Sequence, residues 1–320
     1  MARKRQLNTK QEQYRCSGAF LTLQQLLDQR HVARNMELDY SSRSRLGMTG
    51  THISKIKGRG VDFEEHRPYQ AGDDIRTIDW RVTARTGRPF TKVFREERER
   101  PVIIGVDQSC NMYFGSQVAF KSVVAAEAAA IICWTTVDNG DRVGGVVFGD
   151  NSQELIKPRR SKRSALRFLN SLAEYNQRLV ETHLPSARRA NYLRDALEQM
   201  CRITKPGSNL YLISDFNDYD AECVRFIQQL SLHNSMTCVM VYDALEENLP
   251  RPGVYSITDG QTRSAIDTHT RSIRDRYHEM FDSRTASLRE ALTRLAVPLI
   301  TVRTDQLVLD QLETWKQKTP

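Results

Sequence analysis

Nowhere in its 320 residues does the chain carry the roughly 18 consecutive apolar residues that a transmembrane helix needs, so no membrane span is expected. The basic start MARKRQLNTKQEQYRC is not followed by an apolar h-region, which leaves a secretory signal unsupported and makes a cytoplasmic location the expectation. Cysteines are sparse. Cys16, Cys110, Cys133, Cys201, Cys223 and Cys238 lie far apart without C-x-x-C spacing, which argues against a disulfide framework and for reduced, mostly buried thiols. The seven histidines form no pairs at zinc-ligand spacing, and no motif sets one beside a serine or cysteine nucleophile. Ser109 has no G-x-S-x-G elbow around it. The segment TGTHISKIKGRG does not fit the G-x-x-x-x-G-K-[ST] phosphate loop, and no apolar strand leads into it. These absences point away from catalysis.

With 39% hydrophobic and 27% charged residues, the composition is that of a globular chain able to bury a large core. The formal charge of +8 is unevenly placed: residues 1–100 hold 21 Lys+Arg against 13 Asp+Glu, and the remainder balances at 26 against 26. The excess is therefore all N-terminal. Acidic residues interrupt the basic ones, as in Glu96-Glu97-Arg98-Glu99-Arg100, which weakens the case for a phosphate-tracking stripe. Nucleic-acid binding by this basic region stays a secondary alternative.

Three regions follow from the patterning. Residues 1–40 read as a tail and a short amphipathic helix, with Phe20, Leu23, Leu26, Leu27 and His31 at helical spacing on one face. Residues 41–100 read as a basic, β-rich module: an exposed loop to Gly60, then strands and tight turns with Phe63, Tyr69, Ile75, Ile78, Trp80, Phe90, Val93 and Phe94 as a small core. Residues 101–320 alternate strands and helices, beginning with the apolar run VIIGVD after Pro101. A hairpin over Gly253–Asp267 with Asp259-Gly260 at its turn, a long charged helix, a last strand and a final helix close the chain. This alternation predicts an α/β fold with a doubly wound, mostly parallel sheet covered on both faces.

In such a sheet, ligands gather beyond the carboxyl ends of the strands, where loops converge and helix N-termini point their N–H groups. Asp107 and Ser109 follow the first apolar strand, and Asp215 follows the run Leu212-Ile213-Ser214. Strand-end carboxylates with nearby hydroxyls suit a hard cation such as Mg2+.

The motifs Phe63-Glu64-Glu65-His66-Arg67-Pro68-Tyr69, Gly72-Asp73-Asp74-Ile75-Arg76, Ile78-Asp79-Trp80, Thr83-Ala84-Arg85 and Glu96-Glu97-Arg98, followed by Asp107-x-Ser109, closely resemble the DUF58 family. The resemblance spans roughly residues 20–315. It implies a von Willebrand factor A-like, Rossmann-type domain beside a small N-terminal β-rich module, and a MoxR-type AAA+ ATPase as partner, acting with it on a client protein. It further implies a metal-ion-dependent adhesion site. Asp107 and Ser109 match its first positions and Asp215 its late aspartate, whereas Asn111 stands where a second serine belongs and Asn191, after Ala190, where a threonine belongs. Either a magnesium ion is held by this altered set or the rim binds a partner without metal. In the N-terminal motif, Arg67, Tyr69, Gly72, Asp73, Asp74, Arg76, Asp79, Trp80 and Arg85 read as scaffolding, with carboxylate–guanidinium pairs locking the module onto the sheet domain. The function these features imply is a non-enzymatic protein-binding adaptor. A hydrolase using the same strand-end loops is the alternative.

Overall fold

The computed structural model describes residues 12–34, 61–70, 73–96, 100–181, 191–258 and 263–318. Two compact units divide the chain, Met1–Leu46 with Arg100–Pro320 and, separately, Gly47–Glu99. The first helix, α1 (Leu23–Ala33), thus belongs to the larger unit instead of forming a segment of its own. A capping box starts it: Gln25 N donates to Thr22 Oγ1 and Thr22 N to Gln25 Oε1. Its buried side is Leu26, Gln29, Val32 and Ala33. Phe20 precedes the helix and is exposed, and His31 stacks on Tyr14 outside the core. The expected apolar stripe is therefore rotated, because helix α1 begins two residues after Leu21 and Leu21 takes the buried place expected of Phe20. Trp134 Nε1 donates to Leu26 O at 2.9 Å and Leu21 N to Asn176 Oδ1 at 2.9 Å, so the segment's backbone is satisfied by the larger unit.

The smaller unit is built on an antiparallel pair, β1 (Val61–Pro68) and β2 (Phe90–Glu96), irregular between Phe63 and Glu65. Between them the chain makes a 3-10 turn over Ile75–Thr77 and then α2 (Trp80–Thr86), where the sequence suggested only strands and turns. Asp79 is the reason α2 forms: its Oδ1 accepts from Arg81 N and Val82 N at the helix start. Its Oδ2 meets His66 Nε2 at 2.9 Å and Lys92 Nζ at 3.3 Å, which ties α2 to both strands. These contacts, His66 first, hold the Asp79 carboxyl well below its ordinary range. Asp73 accepts from Gln70 N and from Arg67 Nη2 at 2.7 Å. Both carboxylates therefore close their own unit, with Arg67, His66 and Lys92 as partners. Tyr69 N donates to Pro89 O and its hydroxyl to Asp73 O, while Asp74 caps the 3-10 turn through Arg76 N. Ile75 and Trp80 are 64% and 66% exposed, so they are not part of the small core expected of them, and Arg76 and Arg85 are exposed as well. Gly72 and the expected loop over residues 41–60 lie outside the described residues.

The larger unit holds β3 (Val102–Asp107), α3 (Lys121–Asp138), β4 (Val143–Phe148), β5 (Gln153–Arg159), α4 (Lys162–Glu181), α5 (Tyr192–Ile203), β6 (Asn209–Ser214), α6 (Ala221–Ser231) and β7 (Ser235–Tyr242). It continues through α7 (Ala244–Glu247), the hairpin β8 (Val254–Thr258) and β9 (Arg263–Asp267), α8 (Arg271–Arg294), β10 (Leu299–Arg303) and α9 (Val308–Lys318). The expected hairpin is present, and its Asp259-Gly260 turn lies outside the described residues. Six strands form the central sheet in the order β10-β7-β6-β3-β4-β5, parallel throughout except for β5. The doubly wound, mostly parallel sheet is as expected. Edge strand β5 was not foreseen, because its polar residues and Pro158 lack the signature of a buried strand.

Helices cover both faces. Apolar residues of α1, α3, α4 and α9 pack on one side, and those of α5, α6 and α8 on the other. Helix α3 is apolar nearly all round and correspondingly buried from Lys121 to Thr136, as a helix must be when it has no polar face to show to water. It carries a glutamate in that setting. Glu127 is 5% exposed and accepts from Cys16 N at 3.2 Å.

Two measurements check this packing. A Cβ on Gly145 would stand 2.2 Å from Ile104 O and 2.7 Å from Phe168 Cε2, so Gly145→Ala should cost about 2 kcal/mol by overpacking; urea melts that coincide with wild type would refute the close approach of β3, β4 and α4. Burial pushes the Glu127 carboxyl up to about 8. Its folded-state proton affinity exceeds that of the unfolded chain, so the stability it contributes is full below the ordinary carboxylate pKa and is lost as pH rises toward 8. Glu127→Gln should therefore melt like wild type near pH 5 and several degrees higher near pH 8.5. Parallel melting curves for the two proteins across that range would show that this group does not titrate as described.

Candidate functional site

Strand β3 feeds α3 and β4 to one side, whereas β6 lies on its other side, so successive connections leave the sheet in opposite directions between β3 and β6. Asp107 ends β3 and Asp215 follows β6, which places both at that switch point. Both are buried, at 0% and 1% exposure.

Asp107 is held by its neighbours: Oδ1 accepts from Ser109 N at 2.9 Å and Oδ2 from Ser214 Oγ at 2.6 Å. Burial, reinforced by the nearby Asp215 charge, pushes its carboxyl up to about 7. Gln108 anchors the loop from behind, donating to Ser122 O at 2.9 Å and accepting from Asn176 Nδ2 at 3.1 Å. Ser109 Oγ is fully buried and has no hydrogen-bond partner. The next loop residue, Cys110, gives its N–H to Asp150 Oδ2 at 2.7 Å and its thiol to Asp150 Oδ1.

Asp215 accepts three hydrogen bonds. Its Oδ1 accepts from Asn217 N, and its Oδ2 accepts from Asn217 Nδ2 at 2.6 Å and from Lys121 Nζ at 2.7 Å. Lys121 opens α3 and is 1% exposed, and its ammonium also donates to Glu246 Oε1 at 2.7 Å. Burial works to lower the Lys121 pKa, but the Asp215 and Glu246 carboxylates outweigh it and raise it above its ordinary value. Glu246 is fixed in turn by the capping box of α7, where its Oε2 accepts from Asp243 N at 2.9 Å. Asp243 accepts from Ser116 N, Leu245 N and Thr304 Oγ1, which ties the ends of β7 and β10 to the loop before α3.

The remaining expected ligands are placed differently. Asn111 turns its amide nitrogen to Asp218 Oδ2 at 2.9 Å and to Tyr192 OH at 3.2 Å, and Tyr192 OH itself donates to Asp218 at 2.5 Å. Asn191 precedes α5 in the left-handed region (φ 86°) and makes no side-chain cap. Asp107, Ser109 and Asp215 are thus brought together, while Asn111 belongs to a neighbouring Tyr192–Asp218 cluster.

A magnesium ion demands close to six oxygen ligands in octahedral array. In this rim Asp215 Oδ2 is taken by Lys121 and Asn217, each Asp107 oxygen and Asp215 Oδ1 accepts one hydrogen bond, and Asn111 turns its nitrogen to Asp218. No group of three or more His, Cys, Asp or Glu residues among the described residues is arranged to hold a metal. The donor set does not fit the ion. Lys121 and Glu246 were not foreseen from sequence. The available signal was Lys121 itself, a charge at the head of a helix with no polar face, which demanded a buried anionic partner; Glu246 lies far along the chain and had no such mark.

Comparison with known proteins places the chain among relatives of undetermined role. Uncharacterized protein Rv1480 of Mycobacterium tuberculosis and Uncharacterized protein Mb1516 of Mycobacterium bovis are each 25% identical to it over 277 residues, covering 85% of this chain and 84% of theirs. Among solved structures, BatB from Bacteroides thetaiotaomicron aligns over 68% of this chain and 96% of its own, at 17% identity and a TM-score of 0.40. A von Willebrand factor type A protein from Catenulispora acidiphila aligns over 48% and 35%, at 19% identity and a TM-score of 0.33. The family model described as "Protein of unknown function DUF58" matches residues 65–287, which take in the smaller unit's ion pairs and the strand-end rim alike. That match covers more than half of the sequence, and the chain belongs to the DUF58 family.

Proposed function

We propose that this chain is a non-enzymatic adaptor that binds a partner protein at the rim around Asp107, Ser109 and Asp215, and that it works with a MoxR-type AAA+ ATPase on a client. The observation that carries the reading is the groove beside the rim. It has a volume of about 590 Å3, and Asp215 and Asn217 line it at one end. Phe216, Met240 and Leu288 supply apolar wall, and Met280 stands 66% exposed on α8. Arg284 donates to Asn217 Oδ1 across it, while the hydroxyls of Tyr219 and Thr285 are buried there without partners. An apolar anchor flanked by uncommitted polar groups suits a protein segment, which supplies both a side chain to bury and backbone groups to pair. The ATPase and client rest on the family resemblance carried by the residue 63–109 motifs.

The chemistry of the rim favours binding over turnover. Ser109 Oγ makes no hydrogen bond to a histidine or other activating base, and the Cys110 thiol faces a carboxylate. The six cysteines are all free, with Cys16, Cys133, Cys223 and Cys238 buried.

The test is co-purification of the chain with a MoxR-type ATPase of the same organism. Met280→Glu, an exposed change, should leave the melting temperature unaltered and weaken capture about tenfold, as expected for an anchor side chain worth one to two kcal/mol. Undiminished capture by this variant would remove the groove from the contact surface.

A further inference from the structure

We infer that the Lys121 ammonium is the resident cation of this rim, covalently tethered where an adhesion-type site would recruit a divalent ion, and that the rim engages its partner without metal. The inference takes the rim to be the contact surface proposed above, and it specifies the chemistry of that surface.

Lysine is an unexpected residue where it stands. It is the first residue of α3, at the positive end of the helix dipole, where a cation is disfavoured. It is also 1% exposed, and a buried ammonium is tolerable only if it is paired and hydrogen-bonded. Two carboxylates from two different strand ends meet that demand, Asp215 after β6 and Glu246 after β7, each at 2.7 Å. The backbone supports the same placement. Gly18 N donates to Val118 O and Phe120 N to Gly18 O, and Lys121 N donates to Phe114 O, so the N-terminal segment fixes the turn from which the side chain projects.

The consequences for a metal are electrostatic and geometric. A dication entering between Asp107, Ser109 and Asp215 would lie within a few ångströms of a permanent ammonium in a medium of low polarisability, where repulsion is strong. Asp215 Oδ2, which accepts from both Lys121 and Asn217, could bind it only by giving up one of those donors. The Ser109 hydroxyl, which could add one oxygen, is buried in the same floor. Binding through such a rim is permanently switched on with respect to divalent ions, whereas a recruited metal would make it conditional.

The experiment is a titration of the full chain with Mn2+, followed by electron paramagnetic resonance and by thermal shift, in wild type and in Lys121→Gln. Wild type should bind no stoichiometric Mn2+ at up to millimolar concentration. Lys121→Gln removes the charge and adds a carbonyl oxygen between Asp215 and Glu246, so it should bind Mn2+ at least about tenfold more tightly and melt higher in its presence. Stoichiometric Mn2+ binding by wild type that Asp215→Asn abolishes would overturn the inference. A folded Lys121→Gln protein that gains no Mn2+ affinity would overturn it too. Should that variant fail to fold, the wild-type titration and ATPase capture in EDTA still decide: capture insensitive to EDTA is expected, and capture lost in EDTA contradicts it. Absence of capture in every buffer counts against the adaptor reading alone, because the Mn2+ result stands independently of any partner.

Discussion

A lysine ammonium buried between two carboxylates is the constraint around which the α/β unit closes. Removing the lysine would leave two carboxylates facing each other in the interior without a cation, a loss worth several kcal/mol in comparable settings. The pair can form only if β6 and β7 end side by side and α3 starts directly above them, so the ion triad reports the register of the sheet as well as filling its crevice. Asp243 and Thr304 extend the same arrangement to β10, and Gln108 with Asn176 extends it to α4. In this way the polar rim is continuous with the supports of the fold.

The rim is correspondingly held by its own hydrogen bonds and carries its own cation. Asp107 keeps company with Ser109 and Ser214 and holds its proton to an unusually high pH, which limits repulsion with Asp215 at short range. Opposite this fixed polar floor stands α8, whose Met280 and Arg284 border the groove. In the proposed adaptor role a partner would meet a surface already tied together by its own hydrogen bonds, which limits the ordering cost of association.

Most of this architecture is legible in the amino-acid sequence, because the buried strands are short unbroken apolar runs and the helices between them keep a distinct period. VIIGVD and NLYLIS read as strands and end in the very residues that meet at the switch point. What escapes is what depends on residues distant in sequence or on local polar chemistry. Strand β5 hides behind Pro158 and a polar pattern suited to an edge. Helix α2 owes its start to Asp79, a cap whose effect is invisible in a segment dense with turn residues, and its Trp80 faces outward where aromatic character suggested a core. Asn111 occupies the right position in the loop yet points its amide nitrogen to Asp218, a choice set by Tyr192 on α5. Lys121 and Glu246 are 125 residues apart, and only the fold makes them neighbours.

The claim on which the account turns is that Lys121 carries a charged, hydrogen-bonded ammonium inside the protein. Lysine-selective 1H–15N spectroscopy observes such groups directly, because burial slows the exchange of their protons with water. A single protected ammonium signal is predicted near neutral pH, absent from Lys121→Arg and unmoved by millimolar Mg2+. No protected signal, or one that shifts as Mg2+ is added, would contradict the tethered cation.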